Sequence, residues 1–277
     1  MQLFEQVSRQ CSKITTETYS TSFASAIRLL HKDLRVPIYN IYGFVRFADE
    51  IVDTFHDFDK EALLQQFKHE TYAAIHRGVS LNPILNSFQD TVNKYQIDIE
   101  LVNAFFSSME QDLNKIEYDQ NSYSQYIYGS AEVVGLMCLY VFCEGDVRIY
   151  ENLKPAARSL GAAFQKVNFL RDIKADSEVL QRMYFPDCSF VSFSQNDKIK
   201  IEADIQKDFQ DAYKGIIALP FKARFGVYVA YKYYLSLFCK IKKTNARQIL
   251  NSRIRIPGYG KAMIVAKAGL RSQLNML

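Results

Sequence analysis

Residues 165–176 read Gln165-Lys166-Val167-Asn168-Phe169-Leu170-Arg171-Asp172-Ile173-Lys174-Ala175-Asp176. The stretch has no proline or glycine and lies in a helix-compatible run that opens near Asn152. On a helix, Gln165, Asn168, Asp172 and Asp176 share one face, a row of two amides and two carboxylates with Arg171 beside the first carboxylate. Val167, Phe169, Leu170 and Ile173 are apolar, so most of this helix is expected to be packed. A polar row inside a packed helix is unfavourable unless it meets a ligand or a polar partner. Taken alone, two aspartates four residues apart fit equally well on a solvated face or in a buried hydrogen-bond network.

A second segment changes that balance. Residues 42–53 read Tyr-Gly-Phe-Val-Arg-Phe-Ala-Asp-Glu-Ile-Val-Asp, with Asp49 and Asp53 again four apart and Arg46 just upstream. Like charges at this spacing destabilise a helix by a few tenths of a kcal/mol. Two such pairs in apolar helices, each with an arginine, point to a site that binds positive charge. Hard divalent cations take carboxylate oxygens, and Mg²⁺ typically uses one or two carboxylates together with substrate phosphates.

At these two segments the chain resembles the squalene/phytoene synthase family, the head-to-head prenyl diphosphate synthases, and most of all the bacterial phytoene synthases. Three further stretches carry the resemblance in the same order along nearly the whole chain. They are Tyr-Ser-Thr-Ser-Phe at 19–23, Tyr-Ile-Tyr-Gly-Ser-Ala-Glu-Val-Val-Gly-Leu-Met at 126–137, and Arg182, Tyr184, Phe185 and Pro186. The resemblance implies an all-α, isoprenoid-synthase-like bundle in one domain, residues 1–277, around a central hydrophobic cavity. It implies prenyl diphosphate substrates and Mg²⁺, with Mn²⁺ as an alternative, held by Asp49, Asp53, Asn168, Asp172 and Asp176. The four aspartates and Tyr128, taken over its neighbour Tyr126, are the implied catalytic groups. Ser20, Ser22, Phe23, Tyr42, Arg46, Gln165, Asn168 and Arg171 are the implied substrate contacts. One departure stands out: where the family often has a tyrosine in an Asn-x-Tyr stretch, this chain has Arg247.

The implied reaction joins two geranylgeranyl diphosphates to phytoene through a cyclopropyl diphosphate, with no redox cofactor. Farnesyl diphosphate would give dehydrosqualene or, with NADPH, squalene. A non-catalytic assembly factor of the same fold and a one-substrate terpene cyclase are readings of other classes. The intact aspartate pairs argue against the first, and the Tyr-Phe-Pro and central glycine segments argue against the second.

Composition agrees with a helical domain that buries a sizeable core. The 277 residues are 48% hydrophobic, with eleven glycines and six prolines and no linker-like run. The five cysteines show no CxxC spacing, which predicts free thiols and a reducing, cytoplasmic setting. The four histidines form no zinc signature, and no signal peptide or clear membrane-spanning run is expected.

Helices are expected over 3–16, 33–55, 59–77, 83–95, 98–114, 121–143, 152–175, 199–218, 221–243 and 258–274, with a loop over 187–198. Ser20 is expected as an N-cap and, by resemblance, as a diphosphate contact. Gly129, Ser130, Ala131 and Gly135 are small residues in an apolar helix, where glycine costs about 1 kcal/mol relative to alanine. They predict either a tight helix crossing or a groove for an isoprenoid chain.

Charge is uneven. No Asp or Glu follows Asp211, while thirteen of the 34 Lys and Arg do, so the first 211 residues carry 21 basic against 30 acidic side chains. This basic tail is expected either to be solvated or to touch an anionic membrane peripherally. Apolar between its charges and without a nucleic-acid motif, it gives no expectation of nucleic-acid binding.

Overall fold

The computed structural model describes residues 1–114, 118–176, 183–186, 188–189, 192–251 and 253–273. Among them the elements are thirteen α-helices and one π turn. In order these are α1 (Gln2–Tyr19), α2 (Thr21–Arg28), α3 (Lys32–Thr54), α4 (Lys60–Arg77), α5 (Pro83–Tyr95), α6 (Ile99–Asn114) and α7 (Gln120–Ile127). The π turn (Tyr128–Glu132) follows, then α8 (Val133–Cys143), α9 (Val147–Ala175), α10 (Gln195–Ala218), α11 (Phe221–Lys242), α12 (Ala246–Ile249) and α13 (Gly258–Gln273).

Local chemistry sets many of these ends. Asp59, Asn82, Asp119, Asp146 and Ser194 each accept backbone N–H groups of the helix they open. Such caps satisfy donors that have no partner within the helix. α4 stops at Gly78, whose φ of 72° is the left-handed conformation that glycine takes without strain.

α1 continues to Tyr19 and is followed by the unexpected α2, and two helix starts lie four or more residues before the sequence expectation. α9 begins at Val147, capped by Asp146, so Pro155 lies inside the helix instead of in its first turn. α10 begins at Gln195 because Ser194 and Asp197 form a capping box, which shortens the expected 187–198 loop. Arg182 lies outside the described residues.

The helices wrap one contiguous apolar core. Near its centre Phe44 stacks on Phe88 at 3.8 Å, with Phe105 and Phe106 packed around them. α9 packs along α8 and α10, α1 along α3 and α5, and α2 and α13 along α11. Lys166, buried on α9, donates to Asp204 at 2.5 Å and Asp208 at 2.7 Å, tying α9 to α10.

Glycines set two close crossings. A methyl group on Gly129 would stand 2.4 Å from the Ala104 carbonyl oxygen of α6, and one on Gly161 would stand 2.7 Å from that of Ala131. Gln120–Cys143, which spans α7, the π turn and α8, is long and apolar enough to cross a membrane by composition, but half of that window is buried inside the protein.

Candidate functional site

α3 and α9 place their polar rows on one cavity of about 570 Å³. From α3 come Tyr42, Arg46, Asp49 and Asp53; from α9 come Gln165, Asn168, Arg171, Asp172 and, at its C-cap, Asp176. Ser20 and Phe23 reach the same cavity from the start of α2. The helical spacing that aligned each row in the sequence is what lets it face inward together. Toward the other ends of these helices the lining becomes apolar, with Leu30, Leu139, Phe142, Leu153, Leu160 and Leu219. The cavity follows α9 from Asp172 back to Leu153, roughly 28 Å of helix at 1.5 Å per residue.

The polar end is rich in guanidinium groups. Asp172 accepts from Arg171 Nε at 3.0 Å and from Arg253 Nε at 2.7 Å. Arg46 pairs with Glu50 and lies over the Tyr19 ring at 4.4 Å. Its Nε is buried with no hydrogen-bond partner among the described residues. A buried donor without an acceptor is unfavourable and suits an incoming anion. Gln165 Nε2 donates to Ser130 Oγ at 3.2 Å, and the Tyr234 hydroxyl donates to Asn168 Oδ1 at 3.3 Å.

Burial, reinforced by the neighbouring Asp53 carboxylate, pushes the Asp49 carboxyl up to about 8. Crowded carboxylates of this kind, with only oxygen donors at hand, suit a hard cation. Among the described residues no three His, Cys, Asp or Glu side chains are already grouped as a metal cage. The all-oxygen donor set of Asp49, Asp53, Asp172 and Asp176 fits a metal that shares its coordination with a phosphate ligand, as Mg²⁺ commonly does.

Aromatic rings line the wall between the polar and apolar ends. Phe164 stacks on Tyr234 at 3.8 Å, and Phe23 lies 5.7 Å from Tyr42 and 6.1 Å from Tyr234. Burial, and secondarily Asp49, push the Tyr42 phenol up to about 12, so at neutral pH it presents an uncharged ring and hydroxyl.

Two expected residues fall elsewhere. Tyr128 is not in the lining; it sits at the π turn with the Arg158 guanidinium 5.1 Å over its ring. Tyr126 occupies the cavity wall instead, and its hydroxyl donates to buried Asp112 at 2.8 Å. Two residues apart on a helix, the rings point to nearly opposite sides, so only one can face the cavity. Ser22 also lies off the lining, whereas Ser20 lines it and accepts the Phe23 backbone N–H at 3.3 Å. Arg247 is exposed and outside the cavity.

Sequence reading missed Asp112, Phe164, Tyr234 and, as a site residue, Arg253. Asp112 is one acid on an amphipathic helix, and Tyr234 is one ring in an aromatic-rich one. Only Arg253 had a signal, its place in the Arg-Ile-Arg-Ile segment.

The squalene/phytoene synthase family profile matches residues 16–191. The phytoene synthase of Arthrospira platensis is 26% identical over 95% of this chain and 93% of its own length. The presqualene diphosphate synthase of Rhodopseudomonas palustris is 29% identical over 60% of this chain and 58% of its own. A crystal structure of a dehydrosqualene synthase superposes with a TM-score of 0.84 at 17% identity, over 99% of this chain and 98% of that one.

Proposed function

The chain belongs to the squalene/phytoene synthase family of head-to-head prenyltransferases, and from that premise we propose that it joins two geranylgeranyl diphosphates to phytoene in carotenoid biosynthesis. The reading treats residues 1–277 as one domain. The observation that carries it is a single cavity with two aspartate rows and arginines at one end and an apolar bore along α9 behind them.

The residues have distinct tasks in this reading. Arg46, Arg171 and Arg253 hold the diphosphates by charge-assisted hydrogen bonds, and Gln165 and Ser20 orient them. Asp49, Asp53, Asn168, Asp172 and Asp176 would hold Mg²⁺ or Mn²⁺. Such an ion, when bound, withdraws charge from the diphosphate oxygens and makes diphosphate a better leaving group. Departure of diphosphate leaves an allylic cation, which water would convert to an alcohol. The apolar bore excludes water, and the faces of Phe23, Tyr42, Phe164 and Tyr234 stabilise the cation by about 0.5–2 kcal/mol each. Tyr126 takes the place expected for Tyr128, its hydroxyl fixed by Asp112. The double bond of the second prenyl diphosphate attacks this cation head to head, and loss of a proton to the departed diphosphate closes the cyclopropyl diphosphate. A second loss of diphosphate with rearrangement leaves a cation that gives up another proton to yield the linear hydrocarbon. No redox cofactor is needed for phytoene.

The test is a product assay with Mg²⁺, offering farnesyl and geranylgeranyl diphosphate in parallel, with and without NADPH. The expected product is a C40 hydrocarbon formed without NADPH. A C30 hydrocarbon would overturn the substrate assignment but keep the condensation. A cyclic product from one substrate, or no product from folded protein, would overturn the reaction. Asp49→Asn and Asp172→Asn are each expected to lower turnover at least ~100-fold, the scale of losing a group that stabilises charge in the transition state. Their circular dichroism should match the parent chain.

A further inference from the structure

We propose that the outward face of α13 docks the protein onto a bilayer that carries anionic lipid. At about 100° per residue, Tyr259, Met263, Ala266 and Leu270 fall within an arc of roughly 60°. That arc lies opposite Ala268, which is buried at 3% exposure. Tyr259, Met263 and Leu270 are 74%, 50% and 62% exposed, so this helix turns its apolar stripe away from the protein. Exposed Lys267 and Arg271 border the stripe on one side.

Charge identifies the occupant. No acidic residue follows Asp211, and while Lys214, Lys222 and Arg253 pair with Asp211, Glu144 and Asp172, Lys267 and Arg271 beside the stripe have no acidic partner among the described residues. An apolar stripe bordered by basic residues is the pattern of a helix lying in a membrane interface, where nearby Lys and Arg draw anionic headgroups. α1 also exposes large apolar groups, Leu3, Val7 and Ile14. It carries Glu5 and Glu17 alongside Arg9 and Lys13, so it lacks that complementarity.

The helix is anchored at both ends and is placed beside the polar end of the cavity. Arg271 Nη1 donates to the Tyr228 hydroxyl at 3.1 Å, and Lys261 Nζ donates to Thr21 Oγ1 at 2.8 Å. Arg253, in the segment leading into α13, holds Asp172 at the cavity. Docking through this face brings the cavity entrance close to the bilayer, a suitable position for passing on a long apolar product. The docking does not depend on which prenyl diphosphate is used.

The test is sedimentation of the full chain with phosphatidylcholine vesicles, with and without a third phosphatidylglycerol, at low and high salt. Binding is expected only to the anionic vesicles and only at low salt. Met263→Glu and Leu270→Glu are each expected to weaken it about tenfold, the effect of losing roughly 1.4 kcal/mol of apolar insertion. Both positions are exposed, so circular dichroism and turnover of detergent-dispersed substrate should be unchanged. Leu81→Glu, at a position 93% exposed on another surface, is the control and should bind like the parent chain. No binding at low salt, binding retained in both α13 variants, or equal loss in the Leu81 control would overturn the proposal. Self-association that both α13 variants abolish, measured by sedimentation velocity, would assign the face to a second copy of this chain instead.

Discussion

Substitution at Tyr126 and Asp112 tests how the cavity wall is held. The Tyr126 hydroxyl donates to Asp112 Oδ2 at 2.8 Å, with the two residues 3% and 4% exposed. Burial first, and Asp112 second, push the Tyr126 phenol well above its ordinary value, so it keeps its proton at neutral pH and serves as the donor. Tyr126→Phe removes that donor and Asp112→Ala removes that acceptor. Each should cost about 1–3 kcal/mol, because the remaining buried polar group loses this partner. At roughly 2–4 °C per kcal/mol, a loss of about 2 kcal/mol lowers Tm by about 4–8 °C. The double variant should lose clearly less than the sum, with a coupling of about 0.5–3 kcal/mol. Asp112→Asn keeps an acceptor oxygen and should fall nearer the parent. Chemical and thermal unfolding give the four corners of this cycle, and the product assay gives the matching turnover. If the pair acts as a unit, turnover of the double variant should be no worse than that of the poorer single variant. Stability losses that add to within about 0.3–0.5 kcal/mol would refute the coupling and leave Asp112 without the positioning role assigned to it.

Three further outcomes follow from the geometry. Tyr128→Phe should keep turnover within about twofold, since the half-buried Tyr128 does not line the cavity; a loss as large as that of Tyr126→Phe would restore Tyr128 to the site. Gly161→Ala would bring a methyl group 2.7 Å from the Ala131 carbonyl oxygen and 2.9 Å from Glu132 Cα, both backbone atoms that cannot turn aside. It should destabilise by about 1–3 kcal/mol in thermal unfolding, and an unchanged Tm would show that α9 shifts freely. Burial pushes the Cys138 thiol up to about 12, whereas Cys239 is exposed. Raising the thiol's value leaves less thiolate at a given pH, so iodoacetamide at pH 8 should label Cys239 before Cys138, which lines the cavity at intermediate exposure; prior labelling of Cys138 in folded protein would contradict this order.

Much of this protein was legible from residue order, because the deciding signals are local. Helical spacing alone puts Asp49 with Asp53 and Asp172 with Asp176, and it fixes which side chains of α3 and α9 share a face. The resemblance to a family rested on five ordered segments, and all five, from Tyr19 to Pro186, lie within the residues 16–191 that the family profile matches. Ser20 was legible as an N-cap for the same local reason and does cap α2, whereas the Asp146 cap was overlooked and the start of α9 was set near Asn152 instead of Val147.

Tertiary structure decided which faces meet. Asp112 joined the site only when α6 packed beside α7 and the π turn, bringing it against Tyr126 across fourteen residues of sequence. Tyr126 and Tyr128 were indistinguishable by residue type, and the π turn at Tyr128–Glu132 changes the helical phase just where that choice is made. Arg253 and Tyr234 reach Asp172 and Asn168 from more than sixty residues away, through the packing of α11 and the segment before α13. Periodicity reports the angle of a side chain around its own helix. The distance between two helices depends on how their surfaces fit, and here Gly129 and Gly161 permit close approaches that residue spacing alone does not specify.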